Sequence, residues 1–350
     1  MGIGSFSDLE KALFPNAVEQ VPLEVFSGKR IAIDMNLLCW RMFKKAADII
    51  IKSTNVVTDQ VDYAAIEKFG IDKVIQKIST FLQYNITPVC VFDSKPHELK
   101  QHAGNKQADQ REKDLANFEE AKVELSHMDP ILVSRKIIDT YSSRLVSVMR
   151  PEHSFMQSII IILKQLGIPV IMTAEMNLVT KDAEGICATL CMPGNDYCVA
   201  TFTTDSDYHC YGGNVCITEI EGKKIGGKYR HFATVRSLYK ILIECQMTFP
   251  MFVDLCIMMG TDFNSNMNNC GVKRNTDLIR KFGSIDAIGQ FGRDISCLNH
   301  IAVRQMFAST AVRVEGVKCE IDRSLYIGVR DVLTEADLLK YISAFESFRF

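Results

Sequence analysis

The chain has 350 residues, with 40 Lys and Arg against 42 Asp and Glu and a formal net charge of −2. At 47% hydrophobic and 23% charged residues, the composition excludes disordered and fibrous proteins and leaves ample chain for a core. Near-zero net charge excludes coating nucleic acid by bulk positive charge, though not a local basic surface.

The longest aliphatic run, 159–163, is far too short to span a bilayer. The twelve cysteines include no CxxC pair and sit mostly inside apolar runs, which reads as free buried thiols in a reducing compartment. The histidines never pair with cysteines at zinc-ligand spacing. No charged n-region precedes a long apolar stretch, and Phe6 stands where a myristoylation signal wants Ser or Thr. The expectation is a soluble, intracellular protein.

In chain order, the first buried-strand pattern is Arg30-Ile31-Ala32-Ile33. Helical spacing of apolar residues follows over Tyr63–Gln83, then a second strand, Pro88-Val89-Cys90-Val91-Phe92. Residues 101–124 are polar and charged, as a solvated helix or a helical insertion beyond a strand end would be. Helical spacing returns over 152–166. Two more apolar strands follow, Pro169-Val170-Ile171-Met172 and Cys198-Val199-Ala200-Thr201-Phe202. Continuously apolar strands are buried on both faces, so the alternation predicts an α/β fold with a central, mostly parallel sheet flanked by helices. From about Thr234 the pattern is mostly helical, with a Gly- and Asn-rich turn over 260–271.

The informative feature is where acids fall. Asp34 and Asp93 each follow a strand, and Asp205 and Asp207 follow the last strand and two threonines. Asp182 and Glu184 precede a small-residue helix, and Asp262 closes an apolar one. One such Asp is equally well a helix cap or turn former. Several at the carboxyl ends of parallel strands converge on one crevice. Clustered carboxylates repel one another unless a cation neutralises them, and oxygen-only donors favour Mg²⁺ or Mn²⁺ over zinc. Asp34-Met35-Asn36 lacks the second Asp of an Asp-x-Asp phosphatase, and no Gly-rich phosphate loop or G-x-S-x-G elbow is present.

In order, Met1-Gly2-Ile3, Ile31-Ala32-Ile33-Asp34, Val91-Phe92-Asp93-Ser94-Lys95-Pro96, Asp182-Ala183-Glu184, Thr204-Asp205-Ser206-Asp207 and Met259-Gly260-Thr261-Asp262 resemble the flap endonuclease/XPG-like family of structure-specific 5′ nucleases. The resemblance runs from Met1 to about Phe282. It implies a PIN-like nuclease core with a helical arch insertion and a helix–two-turn–helix region. The implied division is 1–100 and 151–260 for the nuclease regions, 101–150 for the arch, 261–295 for the DNA-gripping motif and 296–350 for a helical extension.

The resemblance further implies two Mg²⁺ ions, with Mn²⁺ as a substitute. Asp34, Asp93, Asp182 and Glu184 would surround one ion, and Asp205, Asp207 and Asp262 the other, without a side-chain nucleophile. The stretch from Pro169 to Asp182 is longer than the family pattern, which makes Glu175 a rival to Asp182. Lys100 matches the Lys at the arch base. The arch Arg falls at Gln107, so Lys106 or Arg111 would replace it. Trp40 matches an aromatic that stacks on a base, and Gly2 lies near the family's active site.

Gly271, Lys273 and Arg274 open a helix that would present amides and cations to a phosphate. The family's K⁺-binding turn there usually reads Gly-x-Gly; here Asn269-Cys270-Gly271 stands, and Asn tolerates a left-handed backbone. The end of the sequence, Phe345-Glu346-Ser347-Phe348-Arg349-Phe350, lacks the Gln of a sliding-clamp motif and a basic run, as in tail-less members from large DNA viruses.

The expected function is Mg²⁺-dependent cleavage of branched DNA at 5′ flaps with 5′–3′ exonuclease action. It would be performed by a monomer without membrane or clamp partner, in the nucleus or at a site of viral replication. The competing expectations are a 5′–3′ exonuclease or RNA-directed nuclease of the same superfamily, and a non-catalytic DNA-junction binder.

Overall fold

A computed structural model describes residues 2–93, 101–129, 132–176, 182–310 and 312–349, the side chains of 101–107 excepted. In chain order the elements begin α1 (Phe6–Leu13), β1 (Val18–Pro22), β2 (Arg30–Asp34), α2 (Met35–Ser53), α3 (Tyr63–Gln83), β3 (Thr87–Phe92), α4 (Gln101–Ser126), α5 (Arg135–Val148) and α6 (His153–Gln165). Next come β4 (Val170–Met172), α7 (Ala183–Cys191), β5 (Ala200–Phe202), α8 (Asp207–Cys210), β6 (Val215–Ile225) and β7 (Lys228–Ser237). Helices then follow one another: α9 (Leu238–Cys245), α10 (Phe249–Met259), α11 (Val272–Phe282), α12 (Ile285–Gln290), α13 (His300–Ala308), α14 (Arg323–Tyr326), α15 (Val329–Glu335) and α16 (Ile342–Glu346).

Two compact units result. The first combines Met1–Met35, Tyr84–Ala103 and Pro169–Ile321; the second combines Asn36–Gln83, Gly104–Ile168 and Asp322–Phe350. The first unit holds a seven-stranded sheet in the order β1-β7-β6-β5-β2-β3-β4. Ladders from β6 through β5, β2 and β3 to β4 are parallel, as the apolar runs require. Ile31, Ala32 and Ile33 of the central strand β2 are fully buried.

The antiparallel part of the sheet is the difference from the sequence reading. β7 pairs antiparallel with both β6 and β1, and it runs to Ser237, where a helical pattern was expected from about Thr234. These strands mix exposed with covered residues, so they lack the continuous apolar run that marks a strand buried on both faces. Their signal is the Gly226-Gly227 pair, both at positive φ (57° and 78°), as a tight hairpin turn demands.

Around the sheet, α7 packs against β2, β3 and β5. The residues of α10 from Phe252 to Met259 are all buried, which explains why that helix is apolar on every face. It pairs with α9 across an 88° bend, and no single described helix is long and apolar enough to cross a membrane. All twelve cysteines are free thiols, buried except Cys191 and Cys297, which are half-buried.

One ion pair locks the helices after the sheet. Asp254 of α10, its side chain 4% exposed, accepts from Arg304 Nε at 2.7 Å and Nη2 at 2.6 Å, and from the Ile285 N–H at 3.0 Å. Arg304 also reaches Asp286 at 2.7 Å, so α10, α12 and α13 meet on a single guanidinium.

In the second unit, Phe43 and Phe155 meet edge to face at 5.5 Å, and Gly70 gives α3 room beside the Phe155 ring. Helix α4 is exposed along most of its described side chains, in line with its polar sequence. Phe118 and Tyr141, at 5.7 Å, join it to α5. The segment around α16 docks on α3, where Lys340 and the Tyr341 hydroxyl reach Asp72 at 2.5 and 3.0 Å.

Breaking a buried pair strands a charge, which costs several kcal/mol. Arg304→Met is therefore expected to lower unfolding stability in urea by about 3 kcal/mol. A loss below about 1 kcal/mol, as for exposed pairs, would show that the lock carries no such weight.

Candidate active site

All seven acids singled out above lie in the first unit. Asp34 ends β2, and Asp93 is the first residue past β3, the neighbouring parallel strand in register with it. Beyond β5 the chain passes through Thr203 and Thr204 to Asp205, and Asp207 opens α8. Asp182 is the N-cap residue of α7, with Glu184 in its first turn. Asp262 follows Gly260, where α10 ends with φ 85°. Parallel strand ends and the N-terminus of α7 thus line one side of the sheet.

Burial is pronounced. Asp34, Asp182, Glu184, Asp205 and Asp207 are at most 5% exposed. Glu175, the rival of Asp182, is exposed. Burial, followed by the charges of Glu184 and Asp262, pushes the Asp205 carboxyl up to about 8. Burial, then Asp205 and Asp262, raises Asp207 well above the usual carboxylate range. The Cys187 thiol of α7 is pushed up by its burial and then by charges that include Asp34, Glu184 and Asp93, so all three acids lie near this helix.

Backbone amides and hydroxyls hold several of these groups. The Gly2 N–H donates to Asp262 Oδ1 at 3.2 Å and the Ile3 N–H to Ser206 Oγ at 2.8 Å. Gly2 has φ +95°, and a Cβ there would collide with the Asp205 carboxylate and the Ser206 hydroxyl, so the position requires glycine twice over. The Ala183 N–H donates to Asp93 Oδ1, and the Asp207 N–H to Asp205 Oδ1 at 3.0 Å. Two contacts were not anticipated. Thr203 Oγ1 donates to Asp34 Oδ2 at 3.0 Å, and the Tyr211 hydroxyl donates to Asp182 Oδ2 at 3.0 Å. Thr203 was visible only as a threonine before the Asp pair, and nothing local marks Tyr211.

The donor set fits divalent cations. Both carboxylate oxygens of Asp207 are buried without a hydrogen-bond partner, a costly state that a cation would relieve. All the candidate donors are hard oxygens. Among the described residues no group of three or more His, Cys, Asp or Glu is arranged to hold one ion as it stands, so the fit rests on donor chemistry and burial.

The basic helix start also lies in the first unit. Asn269 adopts the left-handed backbone, φ 54°, as its substitution into a glycine turn requires. Gly271 is the N-cap of α11; Lys273 and Arg274 are exposed in its first turn, and Arg274 Nη1 donates to the Asn269 carbonyl at 3.2 Å. Asn275 Nδ2 donates to the Met258 and Cys270 carbonyls at 3.2 and 3.5 Å, closing the turn from within.

Trp40 and Arg111 belong to the second unit. Lys44 and Arg150 bring cations to 4.8 and 5.3 Å from the Trp40 ring centroid. Burial, then Arg150, pushes Lys44 down to about 8. Arg111 is exposed on α4. Lys100 lies outside the described residues, as do the side chains of Lys106 and Gln107.

The sequence matches the family models for the XPG N-terminal domain over residues 1–114 and the XPG I-region over 175–262. It is 30% identical to flap endonuclease 1 of Danio rerio over 294 residues, 82% of this chain and 68% of that one. Flap endonuclease 1 of Nematostella vectensis is 29% identical over 295 residues, 82% of this chain and 69% of that one. Neither is a viral protein, so these relatives lend the virus-type reading no support.

Among solved structures, flap endonuclease-1 of Methanococcus jannaschii superposes with a TM-score of 0.55 at 17% identity, covering 94% of this chain and 95% of that one. The catalytic core of Rad2 in complex with DNA substrate gives 0.55 at 16%, covering 99% of each chain. At these identities the structures attest the fold. Family models spanning both halves of the carboxylate set, together with 30% identity over more than two thirds of the Danio rerio relative, establish that the chain belongs to the flap endonuclease/XPG family of nucleases.

Proposed function

We propose that this protein is a divalent-metal-dependent, structure-specific nuclease that hydrolyses phosphodiester bonds of branched DNA, cutting 5′ flaps and degrading from 5′ ends. The observation that carries the reading is the buried carboxylate set at the strand ends, in a chain 30% identical to flap endonuclease 1. A protein that only bound DNA would gain nothing from burying like charges at a phosphate site.

In this reading Asp34, Asp93, Asp182 and Glu184 hold one Mg²⁺ ion, and Asp205, Asp207 and Asp262 a second. Divalent cations there neutralise the phosphodiester and lower the barrier to in-line attack by water. The chain's own groups do the rest. The amide contacts from Gly2, Ala183 and Asp207 restrain the Asp262, Asp93 and Asp205 carboxylates. Residues 261–295 grip duplex as a helix–two-turn–helix, the first turn of α11 offering amides, Lys273 and Arg274 to a backbone phosphate. A K⁺ ion at the Asn269-Cys270-Gly271 turn belongs to the same proposal.

Residues 101–150 act as the helical arch, with Lys100, Lys106 and Arg111 steering phosphate. Trp40, with two cations against its ring, offers a base a stacking surface. DNA as substrate sets the work inside the cell, in the nucleus where the cell has one.

Three measurements test this. With 5′-flap, 3′-flap, nicked and single-stranded substrates in Mg²⁺, the wild type should cut the 5′ flap fastest, and Asp205→Asn should lose at least about 100-fold. No cleavage of any substrate by the pure wild type would refute the function. Replacing Lys273 and Arg274 together by Ala should reduce the slope of log affinity against log salt for flap DNA by about 2.

The third is pH dependence. A carboxyl raised in the fold binds its proton more tightly there than in the unfolded chain. Stability from this source therefore falls as pH rises from the ordinary carboxylate value, and is fully lost above the folded value of about 8. EDTA-treated protein should melt at a lower temperature at pH 8.5 than at pH 6, and Mg²⁺ should recover more at pH 8.5. Equal metal effects at both values would contradict the assignment of Asp205.

A further inference from the structure

Two buried hydroxyls touch the carboxylate set from outside it. Thr203, 4% exposed, donates its one hydroxyl hydrogen to Asp34 and accepts the Asp205 N–H, each at 3.0 Å. A threonine hydroxyl has one hydrogen and two lone pairs, so both bonds are made at once. Thr203 therefore joins the strand end that carries Asp34 to the loop that carries Asp205 and Asp207. The proposed function assigns those two sides to different ions.

Tyr211, 1% exposed, donates to Asp182, and its ring cannot swing away. Phe307 of α13 meets that ring edge-on at 5.0 Å, and Thr310 Oγ1 donates to the Tyr211 carbonyl at 3.0 Å. Phe307 also meets Phe263, the residue after Asp262, at 5.7 Å. Residues beyond 296, for which the sequence suggested no role, thus brace two of the acids.

We propose that Thr203 and Tyr211 are positioning residues for metal binding. Their hydroxyls fix Asp34 and Asp182 in the orientation that divalent cations need, and Thr203 couples the two sides of the site. The inference rests on the metal-dependent nuclease reading. A carboxylate with one oxygen held by a donor keeps lone pairs for a cation while losing the freedom to rotate. A hydroxyl that merely satisfied a buried acid would act on folding and leave cation affinity alone.

The test uses the full chain with Thr203→Val, Thr203→Ser and Tyr211→Phe. Mn²⁺ affinity is measured by calorimetry without DNA, and the Mg²⁺ concentration for half-maximal flap cleavage is measured alongside. The Val and Phe variants should bind Mn²⁺ about 10-fold more weakly and need correspondingly more Mg²⁺, with Thr203→Ser within roughly twofold of the wild type. Tyr211→Phe removes one oxygen from a ring that stays packed on Phe307, so it carries the test if Thr203→Val folds poorly.

Wild-type affinity in the Val and Phe variants, or Ser falling as far as Val, would overturn the proposal while wild-type cleavage leaves the function standing. A wild type that neither binds Mn²⁺ nor cuts would overturn the function and this inference together.

Discussion

Like charges forced together out of water are the constraint around which this structure is organised. Five acids at most 5% exposed lie at the strand ends and the start of α7, and burial with neighbouring carboxylates raises Asp205 and Asp207 above the usual carboxylate range. A fold built only for stability would place apolar side chains there. Retaining the acids makes sense for a protein whose resting state is incomplete without bound cations, and the two unpartnered oxygens of Asp207 are where that incompleteness is most exposed.

The framework answers with small, rigid donors. Backbone amides at Gly2, Ala183 and Asp207, and hydroxyls at Thr203 and Tyr211, each hold one carboxylate. None adds a full positive charge that would compete with a cation for the same lone pairs. The Arg304 guanidinium of α13 is committed elsewhere, to Asp254 and Asp286. Positive charge that could meet a phosphate is kept on exposed helix surface at Lys273 and Arg274. A local separation of sign suits a chain of net charge −2 to a polyanion: buried acids gather at the strand ends, while the base at Lys273 and Arg274 stays exposed.

Much of this was written in local sequence. Buried parallel strands announce themselves by unbroken apolar runs, and an Asp at or just past the end of three of them points to the crevice. β2 through β5 and the acids Asp34, Asp93, Asp205 and Asp207 were legible for that reason, whereas Asp182, Glu184 and Asp262 stand at helix ends and were picked out by the family resemblance. The hairpin of β6 and β7 was not, because a half-exposed strand mixes Lys and Glu with Ile and Val; only its Gly-Gly turn gave it away. Thr203 and Tyr211 escaped for a different reason. Their role depends on long-range contacts, Thr203 with Asp34 and Tyr211 with Phe307, that no spacing rule encodes. The αL backbone at Asn269 was accessible from chemistry alone, since Asn is the side chain that best tolerates it after glycine.

Strand order also governs when the site can exist. β1 pairs with β7, and β2 with β5, so strands made first wait for partners roughly two hundred residues later. At about 5–20 residues per second of synthesis, that wait lasts from about ten seconds to most of a minute. During it the Gly2 and Ile3 amides have neither Asp262 nor Ser206 to bind. The emerging polypeptide therefore stays unarmed. The carboxylate set is complete only once synthesis has passed Asp262, and the Phe307 contacts that brace it form only after α13 is made, a delay built into the order of the strands.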